Sequence, residues 1–102
     1  MGDEPERTAD GRYVIIRGRR WRATDPAIPE EIASTLRREL MSARRAVGAA
    51  LRAEDKAAER AARDRVHRTK VALGERGEPW WEQSDDERRD RWQEGVPTED
   101  AS

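Results

Sequence analysis

The feature that most constrains this fold is a row of apolar residues at helical spacing in the first half of the chain. The row comprises Ile32, Leu36, Leu40, Ala43, Val47 and Leu51. Steps of three and four residues place these side chains on one side of an α-helix. Pro29 suits the first helical position, where no backbone N–H is needed, and Glu30 and Glu31 suit the positive end of the helix dipole. We therefore expect a helix from Pro29 to about Ala53 with one face to bury.

A second row of mostly small residues predicts a partner for this helix. It comprises Ala58, Ala62, Val66, Thr69 and Leu73. The stretch RAEDKAA indicates a break between the helices, and Gly74 is a natural C-terminal cap for a second helix from about Asp55 to Leu73. Because small residues let helices approach closely, we expect an antiparallel helical hairpin.

The stretch RYVIIRGRRWRAT, which precedes the helices, is typical of a β-hairpin. Gly18 and Arg19 would form a two-residue type II′ turn with glycine in the first place. This register sets Arg17 opposite Arg20. Side chains alternate across a sheet, so one face would carry Val14, Ile16, Trp21 and Ala23. The other face would carry Tyr13, Ile15, Arg17, Arg20 and Arg22. We expect Trp21 and its neighbours on the first face to belong to the core.

The rest of the chain predicts a tryptophan lid and two acidic ends. Trp80 and Trp81 lie in a loop and could fold over the helix pair, or they could form an exposed hot spot for a partner. Ser84 and Glu87 form a capping box, but Trp92 is the only large apolar residue nearby, so a short and weakly held helix is expected over 83–94. Residues 1–10 and 95–102 are expected to be disordered.

Composition limits the size of the core. The chain has 102 residues, of which 34% are hydrophobic and 42% charged, so one small domain with a thin core is expected. We predict an α+β fold over 11–82, in which an N-terminal β-hairpin packs on an antiparallel two-helix hairpin and the tryptophan loop closes the structure.

Few residues are suited to catalysis or to binding metal. His67 is the only histidine, cysteine is absent, and no nucleophile–base pair or phosphate-binding glycine loop is evident. We therefore expect no enzyme, no cofactor and no metal site.

No apolar run reaches the ~18 residues of a membrane helix, and the acidic first ten residues lack the features of a signal peptide. A cytoplasmic protein without a membrane partner is expected.

Charge is distributed unevenly along the chain. Residues 11–74 carry sixteen Arg and Lys against eight acids, whereas residues 75–102 carry four Arg against ten acids. Like charges placed opposite each other on a sheet are destabilising, so the Arg17–Arg20 pair favours an anionic neighbour. Phosphate, an acidic partner and the chain's own acidic C-terminal segment are the alternatives, and the last is favoured because it needs no partner.

Two binding functions follow from these patterns. The first is a non-enzymatic protein-interaction module that binds an unknown protein partner or associates with itself. The alternative is weak nucleic-acid binding by the hairpin arginines, masked by the acidic C-terminal segment. The candidate binding residues are Arg17, Arg20, Arg22, Trp80 and Trp81.

Three stretches of the chain are similar to a small bacterial family whose members often carry the label "biopolymer transporter Tol". The stretches are GRRWRATDPAIPEE, ELMSARRAV and RVHRTKVALGERGEPWWE. The resemblance spans about residues 12 to 82 and implies no particular activity or binding residues. Related segments are joined to other small domains, which fits an interaction module.

Overall fold

The fold is α+β, with a small antiparallel sheet followed by helices, in a computed structural model that describes residues 6–97. Strands β1 (Glu6–Arg7), β2 (Tyr13–Ile16) and β3 (Arg19–Arg22) form a sheet in the order β1-β2-β3. Helices α1 (Glu30–Ala53) and α2 (Lys56–Ala72) pack as a hairpin, and a 3₁₀ turn (Trp80–Glu82) leads into α3 (Asp85–Gly95). The predicted fold class is confirmed, and residues 1–5 and 98–102 of the predicted disordered ends lie outside the described residues.

The caps of the helical hairpin follow from its sequence. Glu54 takes a left-handed conformation (φ 57°) after α1, and the Asp55 carboxylate accepts a hydrogen bond from the Ala58 N–H at 3.0 Å to begin α2. At the end of α2, Gly74 has φ 84°. The Gly74 N–H donates to the Val71 carbonyl and the Glu75 N–H to the Lys70 carbonyl. This is a Schellman motif, and it confirms glycine as the cap.

The hairpin differs from prediction in its register. Its turn residues are Arg17 (φ 54°) and Gly18 (φ 78°), and Ile15 lies opposite Arg20. Two positive φ values define a type I′ turn, whose twist matches that of the strands. The predicted pairing of Arg17 with Arg20 is therefore wrong. The register moves by two residues rather than one, so the residues of the two strands keep their predicted faces, whereas Arg17 moves into the turn.

The predicted disorder of residues 1–10 is wrong for residues 6–10. Strand β1 pairs with β2, with Glu6 opposite Ile15. The turn that follows β1 is held by Asp10, whose carboxylate accepts from the Thr8 hydroxyl at 2.7 Å and from the Arg12 N–H at 3.0 Å. Short polar side chains that bond to nearby backbone groups stabilise such turns without any apolar burial.

Helix α3 belongs to the core, which corrects the predicted domain end at residue 82. The main core cluster is formed by Ile28, Ala33, Leu36, Leu40, Ala72, Leu73 and Trp92. The predicted capping box of Ser84 and Glu87 is present, but α3 is not weakly held, because Trp92 is only 7% exposed. Val96 also packs against the cluster, so the predicted disorder from residue 95 does not hold at this position.

Asp25 joins three parts of the fold. It is 2% exposed, and its carboxylate accepts hydrogen bonds from the guanidinium groups of Arg88 and Arg91 on α3, the closest at 2.5 Å. Its N–H donates to the Leu73 carbonyl at 2.9 Å, at the end of α2. The segment that leaves the sheet is thereby tied to both α2 and α3.

Two helical glycines are expected to respond in opposite directions to alanine. A Cβ on Gly95 would lie 2.2 Å from the Ala72 Cβ, whereas a Cβ on Gly48 would meet nothing closer than the flexible Arg52 side chain at 3.5 Å. Gly48→Ala should stabilise the protein by about 0.5–1 kcal/mol through helix propensity. Gly95→Ala should destabilise it by about 1–3 kcal/mol through overpacking. Urea denaturation of both variants measures this, and a stabilised Gly95→Ala variant would contradict the close packing of α3 on α2.

Candidate functional site

One face of the hairpin, together with Trp81 from the 3₁₀ turn, carries stacked arginine and aromatic side chains. We call this surface the arginine face, and it comprises Arg12, Tyr13, Arg20, Arg22 and Trp81. The Arg20 guanidinium lies 4.5 Å from the centroid of the Tyr13 ring, and the Arg12 guanidinium lies 4.9 Å from that of Trp81. The Tyr13 and Trp81 rings meet edge to face at 5.5 Å. Cation–π contacts of this kind hold guanidinium groups in place on a surface.

The predicted arginines do not act alike. Arg20 belongs to the arginine face, and Arg17 is exposed in the turn. Arg22 donates a hydrogen bond to the Gly77 carbonyl at 2.7 Å and therefore ties the hairpin to the tryptophan loop. The structure brings Arg20 and Arg22 together on one face, and it gives Arg22 a structural partner.

The two predicted tryptophans differ in burial, since Trp80 is buried and Trp81 is partly exposed. Trp80 is 7% exposed, and its indole N–H donates to the Ala23 carbonyl at 2.9 Å. It fills the junction where the chain leaves the sheet, whereas Trp92 of α3 is the tryptophan in the core cluster of the helix pair. Trp81 packs edge to face on Trp80 at 5.1 Å but stays partly exposed within the arginine face.

The acidic C-terminal segment does not neutralise the hairpin arginines in the part of the chain that the structure describes. Among residues 6–97, no carboxylate oxygen lies within 4.0 Å of a guanidinium nitrogen of Arg17, Arg20 or Arg22. The favoured anionic neighbour is thus absent from residues 83–97. The C-terminal segment is held instead by its arginines, because Arg88 and Arg91 pair with Asp25.

The opposite face of the hairpin is apolar and open. Ile16 is 44% exposed and Trp21 is 43% exposed, with Val14 half-buried beside them. The three side chains border a cavity of about 430 Å³ whose far side includes Arg44 of α1 and Lys70 of α2. We call this cavity the hairpin groove. The expectation that Trp21 belongs to the core is wrong, because α3 and Ile28, rather than the hairpin, cover the apolar side of the helix pair.

Sequence reasoning missed the hairpin groove for a physical reason. Side-chain alternation correctly placed Val14, Ile16 and Trp21 on one face. Alternation cannot tell whether another element covers that face. One usable signal was that two elements, the hairpin and the helix that contains Trp92, both offer an apolar surface to the helix pair. The helix pair can pack fully on only one of them.

His67, the only histidine, is exposed, and its Nδ1 lies 3.3 Å from a guanidinium nitrogen of Arg76. Within residues 6–97, no three His, Asp or Glu side chains are grouped as a metal site would require. None of the helices that the structure describes has the length and apolar character needed to cross a membrane.

Comparison with known proteins gives no relative: no family model, no curated protein and no solved structure matches this chain.

Proposed function

We propose that this protein is a non-enzymatic interaction module that binds a partner protein through the hairpin groove. The observation that carries the proposal is the exposure of Ile16 and Trp21, 44% and 43%, on one sheet face above a cavity of about 430 Å³. Exposed apolar side chains that line a concavity and are bordered by charged residues are typical of protein–protein contact sites. Tryptophan is also among the residues that contribute most to binding energy at interfaces.

Self-association through the outer surface of α1 is less favourable than binding another protein. Within residues 6–97, the other exposed large apolar residues, Met41 and Leu51, both lie on α1. Exposed arginines outnumber exposed acids along this helix, since Arg37, Arg38, Arg44, Arg45 and Arg52 compare with Glu30 and Glu31 in its first turn and Glu54 at its end. Two copies that met through this surface would bring like charges together, which costs binding energy.

The test compares two apolar surfaces of the same molecule. The full-length protein, immobilised and incubated with nuclease-treated native lysate, is expected to retain a defined protein. Trp21→Ala should lose that protein, whereas Met41→Ser should keep it, since Met41 is 56% exposed and lies on α1 outside the hairpin groove. Equal retention by both variants, or none by the parent, would contradict the proposal.

The arginine face supports a second candidate function, weak binding of nucleic acid. Its guanidinium groups rest on ring faces, which leaves their N–H edges available to phosphate oxygens. Affinity for a duplex should then fall steeply with salt. Arg12→Ala with Arg20→Ala tests this face better than deletion of residues 83–102, because both arginines stack on its rings whereas the deletion would remove Trp92 from the core. Binding that is unchanged in the double variant would contradict this function.

A further inference from the structure

The hairpin groove continues along the helix pair. A second cavity of about 410 Å³ lies between α1 and α2, with Val47 and Val66 among its lining residues. Arg44 and Lys70 line both cavities, so the two lie next to each other, and we call them together the seam channel. From Arg63 to Lys70 this channel follows α2 for about 10 Å, at about 1.5 Å per residue.

The lining of the seam channel combines apolar and basic side chains, which alternate along α1 (Arg44, Val47) and α2 (Arg63, Val66, Lys70). Its apolar lining comprises Val14, Ile16, Trp21, Val47 and Val66. Its cations are Arg7, Arg44, Arg63, Lys70 and Arg76, whereas Arg22 lines the channel but turns its guanidinium to the Gly77 carbonyl on the arginine face. Among residues 6–97, Glu75 is the only acid that lines the channel. Glu75 is itself occupied, since it accepts from the Thr24 hydroxyl at 2.7 Å and lies 3.7 Å from the Lys70 ammonium.

Arg44 is the central unpaired cation of this channel. Among residues 6–97, no carboxylate oxygen lies within ion-pairing distance of its guanidinium group, whereas Arg63 pairs with Glu59. Because Arg44 lines both halves of the channel, an occupant that runs along the channel must pass it. A carboxylate at that point would gain a charge-assisted hydrogen bond.

We propose that the occupant of the seam channel is an acidic amphipathic helix of a partner protein. This inference rests on the proposed function and names the chemistry of the partner. The apolar side of such a helix would cover Val47, Val66 and Trp21, and the acidic side chains on its flanks would reach the cations that lie between them. A third helix can pack between two paired helices by ridges-into-grooves packing of their side chains. Binding of an amphipathic helix in a groove is also a common mode of protein recognition.

The lining of the channel favours a peptide over nucleic acid. Aliphatic side chains offer nothing to a phosphate, and the Trp21 ring is already close to two cations. The Arg19 guanidinium lies 4.8 Å from its centroid and the Lys70 ammonium lies 6.0 Å away. A base that stacked on Trp21 would have to displace these cations, whereas a leucine side chain needs only the exposed edge of the ring.

The test uses three labelled 18-residue peptides and the full-length protein. The first peptide places Leu on one side of a helix and Glu on its flanks, the second replaces each Glu with Lys, and the third scrambles the first. Fluorescence anisotropy should show the acidic amphipathic peptide binding at least about ten-fold more tightly than either of the others. Arg44→Glu should weaken this binding about ten-fold or more.

Arg45→Glu is the matched control, because Arg45 is the exposed neighbour of Arg44 and does not line the channel. Both variants should melt like the parent. Equal effects of the two charge reversals would overturn the inference.

If the acidic and basic peptides bind equally well, the groove binds helices without choosing their charge, so the proposed function stands and this inference fails. If neither peptide binds better than the scrambled one, the channel does not take a helix and the inference is overturned, whereas capture of a Trp21-dependent protein from lysate still decides the proposed function. Binding of duplex DNA that is lost in Arg44→Glu would also overturn it.

Discussion

Replacing Asp25 with alanine is expected to destabilise the protein by about 3–5 kcal/mol. The carboxylate is buried and satisfies two arginines of α3, of which Arg91 is itself almost fully buried in its side chain. Removing the acid leaves these cations without their partner in a region poor in water. Because small domains are stable by only about 5–15 kcal/mol, the urea midpoint should fall sharply.

Asp86→Ala is the matched control for this prediction. Asp86 also pairs with an arginine of α3, Arg89, at 3.4 Å, but its side chain is 89% exposed. Exposed pairs contribute about 1 kcal/mol or less. Similar losses in both variants would mean that Asp25 does not hold α3 in place.

The stabilisation that Asp25 gives to the fold should decrease at acidic pH. Burial alone would raise the pKa of Asp25, but the hydrogen bonds from Arg88 and Arg91 outweigh it and hold the pKa below its ordinary value of 3.8. A carboxyl whose pKa is lowered by folding stabilises the native state fully above its ordinary pKa, and this stabilisation is lost as the pH falls through the lowered value. The stability difference between the parent and Asp25→Asn should therefore be constant near neutral pH and shrink below about pH 4.

Trp80→Ala is expected to cost about 3–5 kcal/mol. The ring is buried where β3, the end of α2 and the loop meet, and its loss would leave a cavity and remove the donor to the Ala23 carbonyl. Gly74 is part of the same junction, since a Cβ there would lie 3.0 Å from the Trp80 ring. The junction is too closely packed to collapse around an alanine.

Trp81→Ala provides the comparison within the same dipeptide. Trp81 is partly exposed, and its contacts with Tyr13 and Trp80 are edge-to-face pairs worth about 0.5–1.5 kcal/mol each. Its removal should cost clearly less than that of Trp80 in thermal and urea unfolding. If the two variants lose equal stability, the division of the pair into a core ring and a surface ring is wrong.

Local structure could be predicted because its causes are local. The apolar row with Pro29 and the acidic first turn predicted α1, and Gly74 predicted the end of α2. Alternation assigned the residues of β2 and β3 to the correct faces even though the register was wrong by two residues, since a shift of two preserves the faces. Leu51, the last member of the apolar row, is nonetheless 51% exposed and Ala50 is buried. The apolar pattern cannot show how far along α1 the neighbouring elements reach.

The sequence by itself determined the two strands of the hairpin, the helices, their caps and the faces they offer for burial, but not strand β1. Only the tertiary structure decided which faces were covered. The helix pair packs on α3 through Trp92 and the Asp25 pairs, although α3 has a single large apolar residue and looked too polar to compete with the hairpin. The buried Trp92 ring and the buried Asp25 carboxylate between two arginines are enough to hold α3 in place despite its polar composition. A few single-residue contacts can stabilise a helix whose average hydrophobicity is low. The hairpin was therefore left with its apolar face open, and the candidate binding site arises there.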